Sequence, residues 1–341
     1  MVNWKSFVIG AAFFDVMTGG TIAQEDHTKF YSGKTLQMII RSEAGSGYDQ
    51  YARTFARHVV KHIPGSPNII NRNMPGGGGI TSANFVYSVA PNDGTVLTII
   101  SQGLPASQAL GEAKGLSADM SKFNWLGSLV SSNQLTITRR ESLTNTFEAA
   151  KARETIIGTV GAGSISSQIP ILLNKFTGTH FKLITGYRGT EDLAMAMEKG
   201  EIDGFAAMNM ASLNAVFSHY VTYNKINIII QMGARRDPRL SDVPLMHEVA
   251  LSDEGKRIIE FFSRGVVVGR PIAVGPNVPA DRLAMLREAF DRTVADTEFL
   301  EEAHKRNIEI QPTGWEELTN SVNNIVNETE ETIELARAAF Q

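Results

Sequence analysis

A strand that runs through a small-residue loop straight into a helix is the feature that most limits what this chain can become. It is Ile39-Ile40-Arg41-Ser42-Glu43-Ala44-Gly45-Ser46-Gly47-Tyr48-Asp49-Gln50-Tyr51-Ala52-Arg53. Leu36, Met38 and Ile40 alternate as in a strand, and Tyr48, Tyr51, Ala52, Phe55, Ala56 and Val59 recur at helical spacing. The helix start aims unpaired N–H groups, and the positive end of the helix dipole, at whatever lies over Gly45 to Asp49. An anion fits such a place. Glycine and serine also end strands simply because turns need small residues. A second copy of the design favours binding: Thr155-Ile156-Ile157-Gly158-Thr159-Val160-Gly161-Ala162-Gly163-Ser164-Ile165-Ser166-Ser167 is again a strand, a Gly/Ser loop and a helix start.

The rest of the chain alternates in the same way. Strands are expected over 35–40, 68–73 and 95–100, with helices over 48–62 and 80–89 between them, the signature of βαβ units around a parallel sheet. Ser101 and Gln102 then fall at the C-terminal strand edge, where open α/β sheets bind ligands. Strands over 124–130 and 134–138 lead into a second series. Its strands lie at Thr155, 181–185, 202–206 and 225–231, and its helices begin at Ser164, Thr190 and Ala211, the last running to His219. A strand over 265–274 returns to the first unit, and Pro279 opens a helix in the position that tolerates proline. The expectation is a two-domain α/β protein, with 24–128 and 266–341 forming one domain and 129–265 the other. Two connecting segments make a hinge suited to closure on a ligand.

Residues 1–23 read as a secretory signal rather than fold. Lys5 precedes the apolar run Phe7 to Phe14, and Thr21-Ile22-Ala23 supplies small residues for cleavage after Ala23, although Asp15 ends the apolar run with a charge. No other apolar run approaches the roughly 18 to 20 residues that span a bilayer. A formal net charge of -4 with no basic cluster argues against a nucleic-acid partner. Cysteine is absent, which excludes disulfides, a thiol nucleophile and thiolate metal ligands.

Catalytic motifs are not legible. Gly45-x-Gly47 and Gly161-x-Gly163 match the start of a dinucleotide fingerprint, but Gln50 and Ser166 stand where its third glycine belongs, so no cofactor is expected. The glycines from Gly76 to Gly79 lead into Ile80-Thr81, without the lysine of a P-loop. His58 and His62 have i, i+4 spacing but no intervening glutamate, and read as surface histidines rather than a metal site. Ser164 lacks the Gly-x-Ser-x-Gly elbow. Gly186-Tyr187-Arg188-Gly189-Thr190 is a third loop, with Thr190 expected as the cap of the next helix. The rival reading is an α/β enzyme that uses the glycine loops for a cofactor and acts on a carboxylate.

Several stretches together resemble the Bug family, the substrate-binding proteins of tripartite tricarboxylate transporters. They are Gly47 to Arg53, Lys61-His62-Ile63-Pro64-Gly65, Asn73 to Gly79, Ala90-Pro91-Asn92-Asp93-Gly94-Thr95, Gly186 to Thr190, Gly200-Glu201-Ile202-Asp203, Asp237 to Pro244 and Pro276-Asn277-Val278-Pro279. The resemblance implies a type II, Venus-flytrap periplasmic binding protein, monomeric, that delivers a small organic carboxylate to a membrane permease. It implies ligand contacts from Gly45, Ser46, Gly47, Tyr48 and Asp49 in one lobe, and from Gly161, Gly163, Ser164, Gly189 and Thr190 in the other. Ser101, Gln102 and Ser166 complete the expected site by position. Glu43 departs from the family's Pro-x-Gly-Gly loop, and Tyr48 adds a ring that would stack on a ring-bearing ligand. With no Lys or Arg at the tip of the first loop, recognition is expected to rest on backbone N–H groups, Arg188 being the nearby cation.

Overall fold

A computed structural model describes residues 29–340 except 161–163, 188, 211–212 and 214–216. The signal segment and most of the helix expected over 211–219 lie outside the described residues. Two mixed sheets organise the chain. The first comprises β1 (Thr35–Ile40), β2 (Asn68–Asn73), β3 (Val96–Ile99), β4 (Asn124–Ser128), β10 (Pro271–Val274) and β11 (Thr313–Gly314), in the order β11-β4-β10-β3-β1-β2. The second comprises β5 (Gln134–Arg139), β6 (Glu154–Thr159), β7 (His180–Thr185), β8 (Gly204–Met208) and β9 (Ile226–Met232), in the order β7-β6-β8-β5-β9.

The expected parallel sheet is therefore corrected to a mixed one. β10 runs antiparallel to β3 and β4, and β5 runs antiparallel to β8 and β9. Each of these is the first strand after the chain changes lobe, so it enters its new sheet from the facing edge and runs against its neighbours. Ile100 N–H donates to the carbonyl of Pro271 at 3.2 Å, which puts the start of β10 beside the end of β3.

The strand expected over 265–274 is corrected as well. Residues up to Val268 belong to a helix, Asp253–Val268, and only Pro271–Val274 is strand. The valines 266–268 suggest a strand locally, but Ile258, Ile259, Phe261, Phe262 and Val266 share a buried stripe at helical spacing. Ser252 caps this helix by accepting from the Gly255 N–H, with Asp253 and Glu254 in its first turn. Tertiary burial outweighs the weak helix propensity of valine.

Gly269 ends the helix at the lobe crossing. Leu129 N–H donates to Arg270 at 3.0 Å, Arg270 N–H donates to Val130 at 3.2 Å, and Ser128 Oγ donates to the Val268 carbonyl at 2.8 Å. Gly269 has φ +54°, and a Cβ there would stand 1.8 Å from the Val130 carbonyl oxygen. The two connecting segments touch backbone to backbone because this residue has no side chain.

Helix Gly47–His62 packs its apolar face on helix Ala280–Ala295, where the Phe55 and Phe290 ring centroids lie 5.5 Å apart and both side chains are fully buried. Each such burial contributes about 1.5 to 3 kcal/mol. The opposite edge of the same helix corrects the surface reading of its histidines. His58 is buried with Nε2 2.8 Å from Glu302, and His62 Nε2 is 2.8 Å from Asp296, because helix Thr297–Lys305 and its cap lie alongside. Arg57, then His58 and Arg306, hold the Glu302 carboxyl down at about 2, against the opposing effect of burial. Its unfolded value is ordinary, so the stabilisation is present above about pH 4.3 and is lost as the pH falls toward 2. Thermal melts across that window should fall steeply for the parent chain and more shallowly for Glu302→Gln. Parallel acid limbs in the two proteins would assign the stabilisation elsewhere.

Candidate functional site

The first loop is organised from beneath. Ser46 caps helix Gly47–His62, its Oγ accepting from the Asp49 N–H at 3.4 Å and lying 2.6 Å from Ser42 Oγ. Asp49 is buried. Its carboxylate accepts from Gly45 N–H at 2.9 Å, Arg53 Nε at 2.8 Å and Asn73 Nδ2 at 2.8 Å. Burial would raise its pKa, but the Gly45 N–H, Asn73 and Arg53 hold it below the ordinary carboxylate value. Asp49, expected among the ligand contacts, thus spends both its carboxylate and its N–H on the loop. Gly47 and Tyr48, at the first two helical positions, have N–H groups without an intrahelical acceptor. Glu43 is exposed.

Tyr48 does not offer a free ring. The guanidinium carbons of Arg41 and Arg270 lie 4.3 Å and 4.1 Å from its centroid. Its hydroxyl accepts from the Gln102 N–H at 3.2 Å, and Gln102 Oε1 accepts from Arg270 Nη1 at 3.1 Å. Burial alone would raise the Tyr48 phenol, but Arg270, then Arg41 and the Gln102 N–H, outweigh it and hold the phenol below its ordinary value. Stacking on a ligand ring is therefore corrected to stacking on guanidinium. The three elements meet at one edge: Arg41 follows the end of β1, Gln102 follows β3 and Arg270 precedes β10. Gly79 presses on the same group, since a Cβ there would lie 3.1 Å from Arg41 Nε and 3.2 Å from Ser101 Cβ.

The second lobe repeats the capped helix start. Ser164 caps helix Ile165–Thr177, its Oγ accepting from the Ser167 N–H at 3.3 Å and lying 2.8 Å from Ser166 Oγ. Ser166 is buried, and its Oγ accepts from the Val160 N–H at 3.1 Å, tying the loop back to the end of β6. Gly161, Gly163 and Arg188 lie outside the described residues. The cap of helix Thr190–Glu198 is Gly189, in extended backbone, and Thr190 is its first residue rather than its cap. Between the lobes is a cavity of about 90 Å³. Leu110 and Gln102 line it from the first lobe, Gln168 and Leu172 from the second, and Phe262 and Val266 from helix Asp253–Val268.

Gln102 and the helix that Ser164 caps, both expected at the site, line the cavity. Arg41 and Arg270 are not among the expected residues. Arg41 has a usable signal, its place immediately after a strand at the C-terminal sheet edge. Arg270 has none, since it lies between a helix end and a strand that the sequence does not separate. His58, Asp296 and Glu298 bring three ligand-type atoms within 4.8 Å of one another, but Lys61 already contacts Glu298 and lies 3.4 Å from His58 Nδ1. An ammonium thus occupies the charge that a metal would need.

No protein-family profile matches the chain, and no curated protein matches it in sequence. Solved structures do match its fold. A TctC solute-binding protein from Polaromonas aligns with a TM-score of 0.67 at 20% identity, over 91% of this chain and 98% of that one. The periplasmic binding protein BugD aligns with 0.63 at 20% identity, over 91% and 98%. MatC from Rhodopseudomonas palustris, with bound malate, aligns with 0.61 at 19% identity, over 90% and 99%. The chain has the two-domain α/β fold of these binding proteins.

Proposed function

We propose that the chain is an extracytoplasmic solute receptor that captures a small carboxylate between its lobes and delivers it to the permease of a tripartite tricarboxylate transporter. One observation carries this reading: two capped helix starts, at Ser46 and Ser164, stand at the ligand-binding edges of two different sheets, with a cavity between the lobes. The fold likeness supports it, and MatC holds malate. In this reading residues 1–23 direct export to the periplasm, and residues 24–128 with 266–341 close against 129–265 as a monomer. Gly47 and Tyr48 supply N–H donors, the start of helix Ile165–Thr177 faces them, and no reaction is catalysed. Among the described residues no helix is long and apolar enough to cross a membrane.

Closure is the measurable step, because one small molecule reaches both helix starts only when the lobes approach. Native mass spectrometry of the purified chain should release an organic acid, and that acid, added back to stripped protein, should lower the radius of gyration in small-angle scattering. Saturating acid with an unchanged radius would count against a flytrap. A released nucleotide or flavin would support the enzyme reading instead.

A further inference from the structure

Arg41 and Arg270 are two like charges gathered on one aromatic ring at the ligand-binding edge. Among the described residues neither is paired with a carboxylate, and the Nε of each is buried without a hydrogen-bond partner. Both side chains are half-buried, and a charge with reduced access to water and no counter-charge is costly. The fork of an arginine matches the geometry of a carboxylate or similar oxyanion. Tyr48 and Gly79 hold the pair in place, the ring by cation–π contact and the glycine by leaving room beside Arg41 Nε.

Gln102 connects this pair to the cavity between the lobes: its side chain accepts from Arg270, and it also lines the cavity. Gln102, Ser107, Gln134 and Gln168 supply its polar wall, and Leu110, Leu172, Phe262 and Val266 much of the rest. A volume of about 90 Å³ is well below the roughly 150 Å³ of an apolar cavity that admits benzene. A short alkyl chain suits it better than a ring.

We propose that Arg41 and Arg270 form a two-guanidinium anchor for a doubly charged head group, and that the adjoining cavity takes a short aliphatic tail. The inference rests on the receptor reading and adds the ligand's class: an amphipathic acid with two negative charges at one end.

Two acid series test it by calorimetry on the mature, ligand-stripped protein. One is malonate, ethylmalonate and butylmalonate, with two carboxylates on one carbon. The other is acetate, butyrate and hexanoate, with one. Each malonate should bind at least about tenfold more tightly than the single acid of matching tail, since each added charge-assisted hydrogen bond is worth roughly that factor or more. Affinity should rise about tenfold for each two carbons added up to butyl. Arg41→Gln and Arg270→Gln, with folding checked by circular dichroism, should each remove most of the malonate advantage. Equal affinity for the two heads in the parent chain, or no gain with tail length, overturns the proposal even if neither variant folds. Folded variants that bind malonate as the parent does also overturn it, while malonate-driven closure leaves the receptor reading standing. Failure of every acid to bind overturns the proposal, and the acid that co-purifies still decides the receptor reading.

Discussion

Gly269→Ala should destabilise the chain by about 3 kcal/mol or more, the largest effect expected of any single methyl group at the lobe crossing. Two costs add. A side chain at positive φ costs roughly 1 to 2 kcal/mol, and overpacking a rigid site costs about 1 to 3 kcal/mol. The obstructing atom is the Val130 carbonyl oxygen, 1.8 Å from the new Cβ, and backbone cannot rotate away as a side chain can. Relief requires the two connecting segments to part, breaking the pair of hydrogen bonds between Arg270 and residues 129 and 130. Thermal unfolding should drop by several degrees. Ligand affinity should fall too, because Arg270 is the next residue. A variant with the parent's melting temperature and affinity would mean that the crossing does not constrain the lobes.

Asp49→Ala should abolish or severely weaken ligand binding although its carboxylate is spent on the loop and its neighbours. The substitution strips the acceptor from Gly45 N–H, Arg53 Nε and Asn73 Nδ2 at once. Hydrogen bonds to a charged group contribute about 1.5 to 3 kcal/mol each, and buried donors left behind carry their own desolvation cost. A stability loss of roughly 2 to 4 kcal/mol follows if Arg53, which is half-exposed, recovers water. Urea titration measures the stability and calorimetry the affinity. Asp49→Asn should recover part of the stability by keeping one carbonyl acceptor. Parent-like affinity in Asp49→Ala would show that the loop holds its shape without this residue.

Local pattern made the scaffold readable. β1 and β2 follow their expected spans residue for residue, β1 because Leu36, Met38 and Ile40 alternate and β2 because the Pro64 to Pro67 turn marks its start. Helix Gly47–His62 begins one residue earlier than expected, at the residue that follows its serine cap. What failed depends on partners distant in sequence. His58 looks like a surface residue until a helix some 240 positions later brings Glu302 to it. Arg41 and Arg270 meet because the sheet inserts β10 between β3 and β4, and spacing along the chain carries no trace of that insertion. Helix Phe147–Ala152 leaves little trace in the sequence, being short and marked chiefly by its Thr146 cap.

The buried stripe of helix Asp253–Val268 belongs to neither half alone. Its Phe261, Phe262 and Val266 sit in one apolar cluster with Ile169 and Leu172 on one side and with Leu318, Val322 and Ile325 on the other. Each lobe thus borrows part of its interior from a shared element, and a fragment cut at the crossing would present that interior to water. The two lobes thus share one continuous apolar interior, and the opening proposed for the receptor would be confined to bending that leaves it intact.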